Sequence, residues 1–398
     1  MPSEVKTLVE AEKRAQPGDM ILIAPGVYKE QLLVETPDIT IRGEDRNTVV
    51  IDGEGTRSFG IVSVADGVRV ENLTTQNAIY YGVLFTGLHD ENGPSAPTVN
   101  GYEAWNPEEF PPLQRFLVDH VTAINNGLYG IYAFNAQHGA VVNSYASGSA
   151  DSGLYIGQCR DCDILLEGNT AERSAVGYEN ANASDSVVVV GNRFTNNRLG
   201  VTLLSNYQEA FVPQARNTVV GNLIADNTEE ATPAHVNGGF GIGIGISGGI
   251  ENVIERNLIA GHTRAGVVLQ NAEDLSALNN KLAGNLYQDN LVDLLNLSAD
   301  RAPAAGNCVD GDPVTTSPAD LAAALACGSD DAQPTTAEFA GPATPQGISY
   351  RKVAPPKDQS NLPQRDSYEK LPDTIAMPDI ASYPAATADL LADTSGVK

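Results

Sequence analysis

The chain has 398 residues, 42% of them hydrophobic, with 38 glycines. That is enough apolar side chain for a large core and enough glycine for many tight corners. Its 50 acidic against 24 basic residues give a formal charge of −26, which argues against nucleic acid or an anionic membrane as the main partner. No stretch approaches the roughly 20 consecutive apolar residues that a membrane-spanning helix needs, so membrane insertion is not expected.

Residues 3–15, SEVKTLVEAEKRA, predict an amphipathic helix capped by Ser3 and stopped by Gln16-Pro17-Gly18. Laid over the first strands, it would cover an otherwise unpaired edge. Short strands follow in DMILIAPGVYKEQLLVE, ITIRGE and TVVIDGEG, punctuated by Pro-Gly or Gly corners. From Val118 to Leu204 a repeat emerges, each copy holding a β-branched run, an Asn or His, a polar corner, a Gly and a second apolar run. The Gly members are Gly130, Gly153, Gly177 and Gly200, at steps of 23, 24 and 23 residues. That period, with short strands and no helical pattern, predicts an all-β fold, a β-solenoid with coils about 4.8 Å apart. One coil cannot bury its inward side chains; a stack can.

Alternation along each strand sets which side chains face out. In the coil led by Gly130 these are Tyr132 and Phe134, and Tyr155, Glu179 and Thr202 take the matching place on the next three coils. Together with Gln158, at the end of SADSGLYIGQ, they form a candidate binding strip. The residues Asn72, His120, Asn143, Asn169, Asn192, Asn222, Asn257 and Asn280 read as one stacked corner, an amide ladder with a structural role. Insertions at 87–115, 206–216 and 227–240 leave or enter the Gly-led strand, so they are expected to wall the strip. They add His89, Trp105, Tyr207 and His235 as candidate ligand contacts, and the rings of Tyr102, Trp105 and Phe110 favour an ordered wall. GIGISG (243–248) matches a dinucleotide pattern, but a strand rather than a helix follows it, so it is discounted. There Gly245 points outward and leaves the backbone bare.

The four cysteines do not make a zinc pattern. Cys308 and Cys327 flank a short predicted helix opened by Ser317-Pro318, and a bridge between them would point to a secreted, periplasmic or cell-surface protein. Cys159 and Cys162 form either a tight bridge or two thiols at a corner. The expected layout is a capping helix over 1–18, coils over 19–298, a cap over 299–328 and a Pro-rich extended tail over 329–398 laid along the flank.

The phrases AQPGDMILIAPGVYKE, ITIRGED and TVVIDG resemble the opening of right-handed parallel β-helix proteins of the carbohydrate-binding and sugar-hydrolase type. NosD-like periplasmic proteins, pectin esterases and mannuronan epimerases share that segment. YGIYAF, SADSGLYIGQ, GYENANASD and GNRFTNNRLGV resemble a group of bacterial parallel β-helix repeat proteins, and the likeness covers roughly residues 16–296. YGIYAF is also similar to the Tyr-Gly-X-Asp-Pro-His signature of mannuronan epimerases, with Tyr132, Ala133 and Phe134 where that motif has Asp, Pro and His.

The resemblance implies a single right-handed parallel β-helix. It also implies a carbohydrate-active protein, either a polysaccharide lyase, epimerase or glycoside hydrolase or a non-catalytic accessory protein. A hydrolase would use Asp151 and Glu179 as its two carboxyls. A lyase or epimerase would use Tyr155 or Tyr132 as the acid and Arg198 for the sugar carboxylate. The acidic balance favours a neutral glycan or other extended ligand, unless calcium or a local arginine offsets the field for a polyuronate. Calcium is the one cofactor this composition suggests, and no metal trio can be argued from the spacing of the scattered histidines.

Overall fold

A computed structural model describes residues 5–90, 93–94, 106–310, 315–328, 336–364 and 367–396. The short strands wind into a right-handed parallel β-helix with three parallel sheets. The first sheet runs from Met20–Ile23 to Cys308–Asp310, the second from Gly26–Tyr28 to Leu286–Gln288, and the third from Leu32–Val34 to Thr316–Ser317. Inward side chains of the third sheet, Ile131, Leu154, Tyr178, Val201, Ile244 and Val267, stack in the central core. The outward row pairs Tyr132 with Tyr155, Tyr155 with Glu179, Glu179 with Thr202 and Thr202 with Gly245.

The periodic glycines mark the corner where successive coils come closest. A Cβ on Gly130 would lie 2.5 Å from the Gly153 carbonyl oxygen, and one on Gly200 would lie 2.6 Å from that of Gly243. Only a residue without a Cβ fits such an approach.

The amide row resolves into three ladders rather than one. In the first, the backbone N–H groups of Asn169, Asn192, Asn222 and Asn257 donate in turn to the Oδ1 of Asn192, Asn222, Asn257 and Asn285. The second joins Ser174, Asn197, Asn227, His262 and Asn290. The third joins Asn217, Asn252, Asn280 and Asn307, so Asn280 belongs to a different row from Asn257. His120 and Asn143 stand one residue earlier, at φ 53° and 49°, in the column that Gly168, Gly191 and Gly221 fill at φ 61–66°. The left-handed region admits Asn, His or Gly, which is why these residues alternate there and mimic a ladder in the sequence.

The amino-terminal helix is Leu8–Glu12, shorter than expected, and Thr7 rather than Ser3 caps it by accepting the Glu10 N–H. Ser3 lies outside the described residues. At the other end Ser317 is in a strand, and the helix Leu321–Ala324 begins after Asp320. Both cysteine pairs, Cys159–Cys162 and Cys308–Cys327, are disulfides.

The tail runs back along the solenoid and then returns. Ala337 meets Asn296, Val353 meets Asn125 and Leu362 meets Asn72, after which Ile375 meets Asp163 and Ala386 meets Arg256. Buried arginines grip it by its carbonyls: Arg42 at Pro363, Arg46 at Ser360 and Arg198 at Pro345.

Candidate functional site

The outward row divides into a closed half and an open half. Tyr132, Phe134 and Tyr155 are 6%, 3% and 2% exposed, packed with Leu84, Leu88, Tyr81, Tyr129 and Phe110 into a second apolar cluster. Tyr129 lies 4.6 Å from Tyr132, and Tyr132 meets Tyr155 edge-on at 4.9 Å between ring centroids. This corrects the expectation that Tyr132 and Phe134 present an open face to ligand. Adjacent rings bury too much apolar area to stay in water, and Glu209 from the 206–216 insertion closes over them, accepting the Tyr155 hydroxyl.

Beyond Tyr155 the row opens into a cleft of ≈ 670 Å³. Glu179, Thr202 and Gly245 form its floor, Asn206 and Gln208 stand on one wall, and His235 with 237–239 stands on the other. These wall residues come from the insertions, while Arg264, Gln270, Asn271 and Glu273 line the remainder. A Cβ on Gly245 would touch only Thr202, at 4.0 Å, so a ligand can lie against bare backbone there.

At the near end of the cleft three titratable groups converge. The ligating atoms of Asp151, Glu179 and His235 all lie within 4.8 Å of one another. Asp151 sits at the corner before Ser152–Cys159, and Glu179 sits mid-strand one coil on; Ser152 spans the offset. Its hydroxyl lies 2.9 Å from Asp151 Oδ1 and 2.8 Å from Glu179 Oε2, while His235 Nε2 lies 3.4 Å from Asp151 Oδ1. A hydroxyl has one proton to give. With Ser152 donating to Asp151, the Glu179 contact is satisfied when Glu179 carries a proton and donates it to Ser152.

The electrostatics agree with that order. Burial, reinforced by the Asp151 charge, pushes the Glu179 carboxyl up to about 8. Burial likewise pushes Glu209 up to about 8, aided by the Glu179 charge and opposed by the Tyr155 hydrogen bond. The second oxygen of Glu209 is buried without a partner, as suits a neutral acid better than a carboxylate. For His235 burial works against the charged ring, but the Asp151 hydrogen bond and the charges of Asp151 and Glu179 outweigh it and raise its pKa. The Asn237 N–H points at His235 Nδ1 at 3.2 Å, so that nitrogen keeps its lone pair and the ring proton sits on Nε2, facing Asp151.

Arg198 does not face the cleft. It is fully buried and engages Thr232, Glu230 and Pro345, so it is no partner for a sugar carboxylate. Gln158 is buried and holds the Ala210 N–H. Tyr207 is 45% exposed, with its hydroxyl on Asp274. His89 is exposed on a short hairpin outside the cleft lining, and Trp105 lies outside the described residues. The residues that sequence reasoning missed are Ser152, Tyr129 and Glu209. Ser152 carried a signal, since it shares a column with Val176 and Leu199. Glu209 carried none, being placed by a loop.

The family described as periplasmic copper-binding protein (NosD) matches residues 18–240. No curated protein matches the chain. Among solved structures, the A-module of the Azotobacter vinelandii mannuronan C-5 epimerase AlgE6 superposes with a TM-score of 0.52 at 15% identity, covering 88% of this chain and 94% of that one. The AlgE4 A-module from the same organism gives 0.50 at 14%, covering 76% and 88%. At such identities the likeness is one of fold.

Proposed function

The chain belongs to the periplasmic copper-binding protein (NosD) family, and from that premise we propose that it is a glycan-binding protein of the periplasm or cell exterior whose cleft carries a proton-transfer cluster centred on Glu179. The observation that carries this reading is a carboxyl 7% exposed, within 4.8 Å of ligating atoms of Asp151 and His235, on the floor of a cleft of ≈ 670 Å³; burial and the Asp151 charge push it up to about 8. General acids are tuned in this way, by burial and a like-charged neighbour. Two disulfides suit an oxidising compartment. The mannuronan C-5 epimerases of similar fold act, by name, on a polysaccharide.

The arrangement favours proton transfer from one face of a sugar. Opposed carboxyls that hydrolyse a glycosidic bond stand roughly 5–9.5 Å apart across it, whereas Asp151 and Glu179 lie within 4.8 Å and share Ser152. They act as one unit. Glu179 gives or takes the proton at the cleft, Ser152 passes it on, and the pair of Asp151 and His235 holds the charge. Thr202 and bare Gly245 seat the ring. The covered state of Tyr132 and Phe134 supports a second reading, a non-catalytic accessory protein, because rings that would stack on sugars are sealed beneath Glu209.

The residues do not fit the copper of the family description. All four cysteines are in disulfides, so no thiolate is free for the soft ion. His262 lies within an amide ladder with its pKa lowered to about 4 by burial. His120 and His138 are paired with Asp119 and Asp163. Both ring nitrogens of His235 are already engaged, Nδ1 by the Asn237 N–H and Nε2 by Asp151.

A panel of neutral and uronate glycans, read for both affinity and product with wild type and Glu179→Gln, tests the proposal. The expected result is binding of the same glycan by both proteins, with turnover at least about 100-fold lower in the variant. EDTA and added calcium should leave binding unchanged. Binding without turnover in wild type would leave the accessory-protein reading, and no binding to any glycan would end both.

A further inference from the structure

His235 belongs to the 227–240 insertion, which has no regular strand or helix of its own, yet its ring is held against Asp151. What fixes the loop is a junction of three segments distant in sequence. Arg198, at the corner before Leu199–Leu204, donates through Nε to Thr232 Oγ1 at 2.9 Å and through a terminal nitrogen to the Glu230 carbonyl at 3.2 Å. Its other terminal nitrogen donates to the Pro345 carbonyl of the tail at 2.7 Å, and the guanidinium lies over the Phe240 ring at 5.4 Å. The tail completes the junction: the Ile348 N–H donates to the Thr232 carbonyl at 2.9 Å. Gly347 packs so tightly that a Cβ on it would lie 2.3 Å from Ala234 N, the residue before His235. Register places Asp151, Ala175 and Arg198 in one column, so the arginine stands two coils, about 10 Å, from the carboxylate that the loop must reach.

We propose that Arg198 and tail residues 345–348 are positioning residues of the cleft, clamping the 227–240 loop so that His235 Nε2 meets Asp151. The tail is then part of the site, although it lies at least a hundred residues beyond any floor residue. A guanidinium suits this junction because its planar fork serves three acceptors in fixed directions, which a lysine ammonium cannot reproduce. The proposal concerns the acid cluster itself, so its test needs no glycan and can fail or succeed apart from the functional reading above.

The test is an NMR titration of the His235 ring in the full chain, its signal assigned by loss in His235→Gln. In wild type the ring titrates above an ordinary imidazole, and Asp151→Asn lowers its midpoint. Arg198→Met and, on the tail side alone, Gly347→Val are expected to bring the midpoint back toward the ordinary value and to abolish the further effect of Asp151→Asn. Arg198→Lys should restore only part of the shift. Arg256 grips the tail elsewhere, at the Ile380 carbonyl, so Arg256→Met should leave His235 as in wild type. The clamp is overturned if Gly347→Val leaves the His235–Asp151 coupling intact, or if Arg256→Met disturbs it as much as Arg198→Met does.

Discussion

Burial gives Glu179 and Glu209 a pH signature that the folded protein must display. Both carboxyls are pushed up to about 8, while in the unfolded chain a glutamate titrates near 4.3. Between those values the native state holds protons that the unfolded state has released, so stability is highest below the lower value and falls as pH rises toward the upper one. Glu209→Gln keeps an acceptor for Tyr155 and removes one of the two ionisations. Its melting temperature should equal that of wild type near pH 4 and exceed it above about pH 8; the same difference at both ends would mean that Glu209 is ionised in the native protein. The outward place of Glu179 was legible, since alternation alone sets it. Its protonation was not, because that depends on burial, on Asp151 and Ser152, and on His235, which a loop brings in from 56 positions away.

The coil corners are where sequence and strand geometry meet most directly. Asn222 Oδ1 accepts from the backbone and side chain of Asn192, and its Nδ2 donates to Val189, Val220 and Asn257. Asn222→Ala strands several buried partners at once, and a loss of about 2–4 kcal/mol, read from the urea midpoint, is expected. Gly200→Ala must force apart two coils at a 2.6 Å approach and should cost about 1–3 kcal/mol. The glycine period named the fold because this approach recurs on successive coils from Gly60 to Gly266. The asparagine row was misread as one column because position 143 and position 169 both carry Asn, although one answers to a left-handed φ and the other to a stacked amide. Composition cannot separate those two demands.

At the scale of the molecule, the ends and the tail decide how the stack is closed. The Cys308–Cys327 bridge spans 19 residues around the last strands. Replacing both cysteines with serine should lower stability by about 3 kcal/mol in the loop-entropy model, with hydrogen exchange rising first near Thr316–Ser317. The bridge between Cys159 and Cys162, only three residues apart, should contribute far less. The tail's course along the solenoid agrees with its proline-rich composition. The arginines that hold it did not announce themselves, and Arg198 in particular reads as a cleft residue until its partners are seen.

Local periodicity, acting through nearest-neighbour coils, determined the solenoid, the outward row of Tyr155, Glu179 and Thr202, and the strand that the insertions flank, because each follows from spacing along a single strand. Which half of that row is sealed, which carboxyl keeps its proton and what holds His235 in place were decided only by tertiary structure. Each of these depends on a loop or tail residue whose position no repeat dictates, and burial and charge act through space rather than along the chain.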